Sequence, residues 1–403
     1  MLRLSLLVAI AAASLLAQGK NVLIYGNSLS LFNGGVEPIL TALAVEAGQP
    51  QPFVLDMSVT GQALNFHATD PTQVAAITTG LPAGQHWDIV VLQGISHETT
   101  TTLGNPAQFV ADAATILTNV RAHSPNAEGI LFQTYARAHG HSWYPSTFAD
   151  PMEMHNQVRT TCRNAAQTLS AMFGAGTVRN SAIGDGAALL EFDPQYYFVD
   201  LQHPAPSLTF VSAMCLFTSI YGLRACDVTP DLSTPSALGA RLINFGFGLA
   251  DWRRLAGIAD RCAEPGARRY PGSGDHLLLE TGVTAGSFDP CPLESLVAGA
   301  TVELRLSSRN GVFDAVSGAL LAHLFVTGQP PVANPVFPEL ALADPIAILL
   351  TGNDLTAPLT LSVPLPFTIT GASVLVQGVA FGPSAETGNL LFATTDAHEL
   401  VFQ

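Results

Sequence analysis

The sequence predicts an α/β protein in which a parallel β-sheet lies between two layers of helices, followed by a smaller all-β sandwich. Up to about residue 262, short apolar runs alternate with helical patterns, and this order is typical of a parallel sheet covered on both faces. Beyond Arg268, short strand-like runs separated by Pro and Gly turns replace the helical patterns. We therefore expect an α/β domain over residues 20–265, a linker over 266–275 and a β-sandwich over 276–403.

The composition excludes several classes of protein. Charged residues make up 12% of the 403 residues and hydrophobic residues 48%, which excludes a disordered chain or a coiled coil. The formal net charge is −15 and Lys20 is the single lysine, so a nucleic-acid partner is not expected. Neither a phosphate-binding loop nor a dinucleotide fingerprint follows a strand, and no cofactor is expected.

Residues 1–19 have the pattern of a signal peptide. Arg3 supplies a positive charge, residues 4–16 are apolar, and Ala17 offers a small residue near the cleavage site. The apolar run is too short to span a bilayer comfortably, and the alternative is a buried first helix. We expect a secreted, periplasmic or cell-surface protein without a membrane span, and no oligomeric state is predicted.

The cysteines suggest one disulfide. An oxidising compartment would allow pairing, and an odd number leaves at least one thiol free. We expect Cys226 to pair with Cys262, because the two bracket the last helical segment of the first part. No Cys-x-x-Cys spacing occurs, so no zinc or redox site is indicated. The five cysteines are Cys162, Cys215, Cys226, Cys262 and Cys291.

The first predicted strand leads to a candidate nucleophile. The apolar run from Val22 to Tyr25 predicts a buried parallel strand, and Gly26, Asn27 and Ser28 follow at its carboxyl end. In open α/β sheets, ligands bind at this edge. The alternative is that these polar residues only form a turn and cap the next helix.

The remaining elements continue the two patterns. Further strands of the first part are predicted over 52–57, 88–93, 129–134 and 177–183, and helices over 36–43, 109–122, 154–173, 207–223 and 236–259. The second part has strand candidates over 276–280, 301–306, 320–326, 347–350, 359–363, 373–380 and 390–394. It has no cluster of His, Cys or carboxylates, so a surface-attachment or spacer role is favoured.

A serine nucleophile requires a histidine base and an acid that orients it, and both occur far along the chain. Asp200 and His203 are three residues apart in a loop, and Pro204 delays the helix that begins near Ser207. This spacing lets the aspartate reach one imidazole nitrogen while the other faces a serine. The alternative is that both residues only cap the helix.

Acyl transfer also requires hydrogen-bond donors for the oxyanion. Gly61, after the second strand, can present its backbone N–H, and Gln93, at the end of the third, can donate from its side-chain amide. The backbone N–H of Ser28 would be a further donor. Each residue alone is more often part of a turn, but together they place complementary groups at separate strand ends.

This set of motifs resembles the SGNH (GDSL-like) hydrolases, a superfamily of esterases and lipases. The segment Gly26 to Ser30 matches the first family block, Gly61 the second, and Asp200-x-x-His203 the last. The third block departs from the family, which usually has Gly-x-Asn-Asp where this chain has Gln93, although some branches also have Gln there. The resemblance implies the flavodoxin-like SGNH hydrolase fold, Ser28 as nucleophile, His203 as base, Asp200 as its partner and Gln93 as an oxyanion donor.

Other polar residues are candidates for substrate contact. Asn27 neighbours the nucleophile, and Arg137, His139 and Tyr144 occur together in the loop after the fourth strand. His139 and His141 could instead hold a metal, but no carboxylate or Cys lies nearby in sequence, so no metal site is predicted. A plain surface loop is the remaining alternative.

The favoured hypothesis is an exported serine esterase that acts on a small-molecule or polysaccharide ester and needs no cofactor. Acetylated carbohydrate is the preferred substrate on the grounds of export and the family resemblance. Two alternatives stay open: a catalytically inactive binding or surface protein, favoured by the altered third block, and an acyltransferase, which would use the same residues.

Overall fold

The computed structural model describes residues 19–283, 288–366 and 369–403. Two compact units are present, and within these residues the first comprises 19–184, Asp193–Tyr221 and Asp227–Phe245. The second comprises Asp185–Phe192, Gly222–Cys226 and Gly246–Gln403, and so begins earlier in the chain than the predicted linker. The structure describes the chain from residue 19 onwards, so residues 1–18 of the predicted signal peptide lie outside the described residues.

A parallel sheet of five strands forms the centre of the first unit, which confirms the predicted α/β class. All its pairs are parallel, in the order β2-β1-β3-β4-β5. Alternate residues of the first strand point to opposite faces, and Leu23 and Ile24 are both fully buried, because helices cover both faces. The strands are β1 (Asn21–Tyr25), β2 (Phe53–Asp56), β3 (Ile89–Leu92), β4 (Glu128–Phe132) and β5 (Val178–Ser181).

Helices alternate with these strands, but the prediction missed those over Leu64–Thr69, Pro71–Thr79 and Ile183–Leu189, and it also differs at the end of the α/β part. The single helix predicted over 236–259 is wrong, because two helices occur there. Gly246 has a φ of 76° in the left-handed region, which ends the first helix, and Gly248 caps the second. The helices are α1 (Ser28–Leu31), α2 (Glu37–Glu46), α3 (Leu64–Thr69), α4 (Pro71–Thr79), α5 (Pro106–His123), α6 (Pro151–Phe173), α7 (Ile183–Leu189), α8 (Pro206–Tyr221), α9 (Ala237–Asn244) and α10 (Leu249–Arg261).

The predicted disulfide between Cys226 and Cys262 is also wrong. Cys226 pairs with Cys291, with 5.7 Å between their Cα atoms. Both approach α10: the Asp260 carboxylate accepts the Cys226 N–H, and Gly257, one turn earlier, has no Cβ to hold residue 291 away. Cys262 is a free, partly buried thiol at the end of that helix. The pairing depends on this tertiary approach, which spacing along the chain does not show.

Two sheets form the β-rich part of the second unit, as predicted. Among the described residues, one sheet has the order β10-β9-β12-β14-β7 with β13 beside β12, and the other has the order β11-β8-β6. Leu279 and Leu304 of the second sheet share one apolar core with Leu320 and Leu400 of the first. The prediction missed β7 and β14, which pair in parallel. The strands are β6 (Leu277–Gly282), β7 (Leu293–Leu296), β8 (Thr301–Ser308), β9 (Gly318–Val326), β10 (Ala347–Gly352), β11 (Leu359–Pro364), β12 (Ala372–Ala380), β13 (Ala393–Thr394) and β14 (His398–Phe402).

Within the described part of the chain, no single helix has the length and apolar composition needed to cross a membrane. One bent pair, Ser28–Gly34 with Glu37–Glu46, passes this test of length and composition when its two halves are taken together, and they meet at 69°.

Candidate active site

Ser28 lies at the carboxyl edge of the sheet, as the first residue of α1 directly after the turn that follows β1. The Asn27 side chain caps the helix by accepting the backbone N–H of Leu29 at 3.1 Å. Gly26 permits the close approach, because a Cβ there would lie 2.4 Å from Ser30 Oγ and 2.8 Å from Gln93 Oε1. The turn therefore presents the serine hydroxyl from a tightly packed position.

The structure brings Ser28, His203 and Asp200 together in one hydrogen-bonded chain. Ser28 Oγ lies 3.0 Å from His203 Nε2, although the two residues are 175 positions apart in sequence. On the other side of the ring, His203 Nδ1 lies 2.5 Å from Asp200 Oδ2. This geometry places Nε2 to accept the serine proton and Nδ1–H to donate to the carboxylate.

Asp200 is held as a carboxylate. Partial burial alone would raise its pKa, but hydrogen bonds from the His203 ring and from the backbone N–H groups of His203 and Gln202 outweigh this and lower the pKa to about 2. The backbone bonds reach Asp200 Oδ1 at 3.0 Å each, and they leave Oδ2 for the imidazole. Asp200 is therefore charged at neutral pH and fixes the orientation of the ring.

Two residues that the sequence analysis did not single out hold the histidine in place. The Phe32 ring stacks on the His203 imidazole, with 4.1 Å between centroids and 10° between planes. Asn33 Nδ2 donates to the Pro204 carbonyl at 2.9 Å and to Thr209 Oγ1 at 2.8 Å. In the sequence, only their position directly after the Ser28 motif could have drawn attention to them. Their contacts tie that motif to the loop that contains Asp200 and His203.

Gln93 lies beside the turn that contains Ser28 and has an unused donor. It is fully buried, and its Oε1 accepts the backbone N–H of Asn27 at 2.8 Å. Since a backbone N–H needs an acceptor, this bond identifies the atom facing Asn27 as Oε1 and the other atom of the amide as Nε2. Gln93 Nε2 is buried and has no hydrogen-bond partner among the residues that the structure describes. Such an orphaned donor requires an explanation, and an oxyanion would supply its acceptor.

The loop that contains Gly61 lies against the same turn. Gly61 has a φ of 74°, in the left-handed region that favours glycine. Val59, two residues before it, donates its backbone N–H to the Gly26 carbonyl at 3.0 Å, and the Gln62 carbonyl accepts from Asn27 Nδ2 at 3.3 Å. These bonds bring the Gly61 segment next to Ser28.

Asn27 acts within the protein framework. It is 1% exposed, its Oδ1 caps α1, and its Nδ2 bridges the carbonyls of Gln62 and Gly94. Its side chain thus joins the loops after β2 and β3 to the turn that contains Ser28. This placement favours a positioning role over the substrate contact that we expected of it.

Two further buried residues brace the site. Glu98 Oε2 accepts the backbone N–H groups of Leu64 at 3.2 Å and Ile95 at 2.9 Å, which clamps the loops after β2 and β3 together. Burial raises the pKa of Glu98 despite these bonds. His67, which the sequence analysis missed, places Nε2 at 2.9 Å from the Gly26 carbonyl behind the serine turn.

The loop after β4 reaches the Asp-His loop. Ala138 donates its backbone N–H to the Leu201 carbonyl at 2.9 Å. Arg137 is buried, Tyr144 donates its hydroxyl to the Arg137 carbonyl at 3.1 Å, and His139 is exposed. Across the described residues, no group of three or more His, Cys, Asp or Glu could hold a metal ion.

Solved structures similar to this chain include a candidate member of the family that the motifs resemble. A DUF4886 family protein from Bacteroides uniformis is 14% identical, with a TM-score of 0.41, over 57% of this chain and 93% of that one. A candidate SGNH hydrolase from Slackia heliotrinireducens is 19% identical, with a TM-score of 0.40, over 50% of this chain and 100% of that one. A family 3 carbohydrate esterase from Talaromyces cellulolyticus is 15% identical, with a TM-score of 0.36, over 50% of this chain and 96% of that one. No protein-family model and no curated protein matches the sequence.

Proposed function

We propose that the protein is a serine esterase of the SGNH hydrolase type, with Ser28 as its nucleophile. The single observation that supports this most strongly is the continuous chain from Ser28 Oγ through the His203 ring to the Asp200 carboxylate, with 3.0 Å and 2.5 Å between the paired atoms. A serine, a histidine and an ionised aspartate in this order form the arrangement that activates a hydroxyl for acyl transfer.

The reaction follows from these contacts. Ser28 Oγ attacks the ester carbonyl carbon while His203 Nε2 takes the hydroxyl proton, and Asp200 stabilises the imidazolium without accepting that proton. The Gln93 amide and the backbone N–H groups of Ser28 and Gly61 stabilise the oxyanion. His203 then protonates the leaving alcohol, and the acyl group stays on Ser28. Water, deprotonated by the same histidine, releases the acid and restores the serine.

The intact triad favours catalysis over a purely binding role. Turnover of phenyl acetate by the purified protein tests the proposal, with Ser28→Ala as the matched variant. The proposal predicts hydrolysis by the wild type and loss of at least about 10³-fold in kcat for Ser28→Ala. Equal rates for the two proteins across esters of increasing acyl length would overturn it.

Hydrolysis and acyl transfer share every residue named above. We propose hydrolysis as the main reaction, and added alcohols test this directly. A hydrolase releases acetate in the presence of methanol or a sugar, whereas a transferase forms the corresponding acetate ester as its main product.

Acetylated carbohydrate remains the proposed natural substrate, on the ground of the predicted export. N-terminal sequencing of the exported protein tests the cleavage near residues 17–19.

A further inference from the structure

A buried positive charge lies next to the proposed catalytic residues without a matching negative partner. Arg137 is 4% exposed, and its Nε and Nη1 atoms are buried with no hydrogen-bond partner in the described part of the chain. Leaving a charged donor buried and unpaired is costly, so such groups are normally paired with an anion. Burial lowers the pKa of Arg137, while nearby tyrosines and Asp200 raise it, and the result, about 10, leaves it charged at neutral pH.

The surroundings of Arg137 supply further unused polar atoms. Its guanidinium lies 4.8 Å from the centroid of the Trp143 ring, which also contacts the His97 ring edge-on at 5.6 Å. His97 Nδ1 and the Tyr135 hydroxyl are both buried and unpaired among the described residues. Several orphaned hydrogen-bonding atoms in one place are a set that a polar ligand could satisfy.

This cluster adjoins the proposed catalytic loop. Residue 138 donates its backbone N–H to Leu201, and Tyr197 donates its hydroxyl to the Ala136 carbonyl at 3.0 Å, so bonds on both sides of Arg137 tie it to the loop that contains Asp200. Asp200 forms no hydrogen bond or ion pair with Arg137 among the described residues; its carboxylate accepts from His203 and Gln202.

We propose that Arg137 forms a subsite for a carboxylate on the ester substrate. This inference rests on the proposed esterase function and specifies its substrate class: esters whose acid or alcohol part bears one carboxylate close to the scissile bond. A planar guanidinium can bind a carboxylate through two parallel hydrogen bonds, which a lysine cannot do. The Trp143 ring is partly exposed and lies against the Arg137 guanidinium.

Charge selectivity with matched small esters tests the subsite. The alcohol side is probed with 4-acetoxybenzoate against its neutral methyl ester, and the acid side with phenyl hydrogen succinate against phenyl methyl succinate. For each pair, the selectivity is the ratio of kcat/KM for the charged ester to that for the neutral one. Comparing this ratio between proteins removes the intrinsic reactivity of each ester.

The expected result is that Arg137→Met lowers the selectivity ratio at least tenfold for one of the two pairs, mainly through KM, and that Arg137→Lys restores part of it. Arg121→Met is the matched control, since that arginine donates to the Ala127 carbonyl near the end of α5 that precedes β4. It should leave the ratio unchanged.

If Arg137→Met proves insoluble, wild-type hydrolysis of phenyl acetate is measured with 4-hydroxybenzoate and monomethyl succinate as inhibitors. At least one of them should inhibit competitively and more strongly than its neutral methyl ester.

The outcomes separate the two proposals. A wild type that hydrolyses none of the four esters contradicts the esterase function itself. A wild type that hydrolyses the neutral esters, but whose selectivity is the same in Arg137→Met, contradicts the subsite alone. Equal inhibition by the acids and their methyl esters also contradicts it.

Discussion

Gln93 Oε1 accepts the backbone N–H of Asn27 at 2.8 Å, one residue before the proposed nucleophile. This bond fixes the orientation of the Gln93 amide and leaves Nε2 as a buried donor without a partner among the described residues. The third block, where the chain departs from the family pattern, thus supplies a donor at the end of a strand next to the strand that leads to Ser28. Gln93 has a side-chain amide, as does the Asn of the usual Gly-x-Asn-Asp block. The departure therefore keeps the kind of donor that the proposed reaction needs.

Gln93→Glu should reduce kcat about 10²–10³-fold, the usual cost of losing one oxyanion donor, with little change in KM. The variant keeps an oxygen for the Asn27 N–H and replaces the Nε2 donor with a carboxylate oxygen, whose negative charge also repels the oxyanion, so the stated loss is a lower bound. Steady-state hydrolysis of phenyl acetate measures the effect, and a thermal melt controls for folding. A kcat equal to that of the wild type would exclude Gln93 from the oxyanion hole.

Asp200→Asn should lower kcat about 10⁴-fold, as the same change does in a chymotrypsin-like triad. The amide oxygen can still accept the backbone N–H groups of Gln202 and His203, so the loop keeps its shape. The amide NH₂ cannot accept from His203 Nδ1, and the ring adopts the wrong tautomer. Single-turnover acylation measures this step. Unchanged acylation would mean that Asp200 does not orient the histidine.

The corrected disulfide makes a prediction about stability. Cys226→Ser should lower the free energy of unfolding of the oxidised protein by about 2–4 kcal/mol, because the bond to Cys291 restricts the unfolded chain over a separation of 65 residues. Cys262→Ser is the matched control and should change it little, since that thiol is free. Denaturant titration measures both, and an equal loss of stability in the two variants would favour the Cys226–Cys262 pairing expected from sequence.

His398 should make the second unit sensitive to acid. Its side chain is 2% exposed, and burial lowers its pKa to about 3, although Asp396 opposes the shift. The unfolded chain takes up this proton near pH 6.5, so it binds more protons than the folded state between about pH 6.5 and 3. Stability therefore falls as the pH is lowered through this window, by about 2–3 kcal/mol at pH 4.5 for this group.

The variant His398→Asn tests this pH effect, because Asn can keep a hydrogen bond to Thr281 without titrating. The loss of unfolding free energy between pH 7 and pH 4.5 should be smaller in this variant than in the wild type. His323→Asn, on β9 of the same sheet, which β12 separates from β14, is the matched control. An identical pH dependence in wild type and His398→Asn would contradict the assignment.

The sequence was most informative where chemistry coincides with the end of a strand. Ser28 could be found because parallel strands deliver their carboxyl ends to one edge, whereas Asp200 and His203 were found by their spacing in a loop before a helix; the structure brings the three together. The alternation of apolar runs with helical patterns likewise predicted the sheet.

The remaining features depend on contacts that no periodicity records. The Phe32 ring stacks on an imidazole that lies 171 residues later, and Cys226 reaches Cys291 because a helix between them has a glycine at the point of approach. The closing helix was predicted as one segment because the apolar pattern continues across Gly246, where the backbone turns left-handed. Such features follow from tertiary packing and local backbone strain, which act independently of the hydrophobic pattern.

Covalent labelling of Ser28 tests the central claim most directly. The protein is incubated with a fluorophosphonate, which reacts with activated serine nucleophiles, and the adduct is located by mass spectrometry of the intact protein and its peptides. The account predicts one adduct per chain, on the peptide that contains Ser28, and no adduct in Ser28→Ala. Equal labelling of wild type and Ser28→Ala, or an adduct confined to another serine, would contradict it.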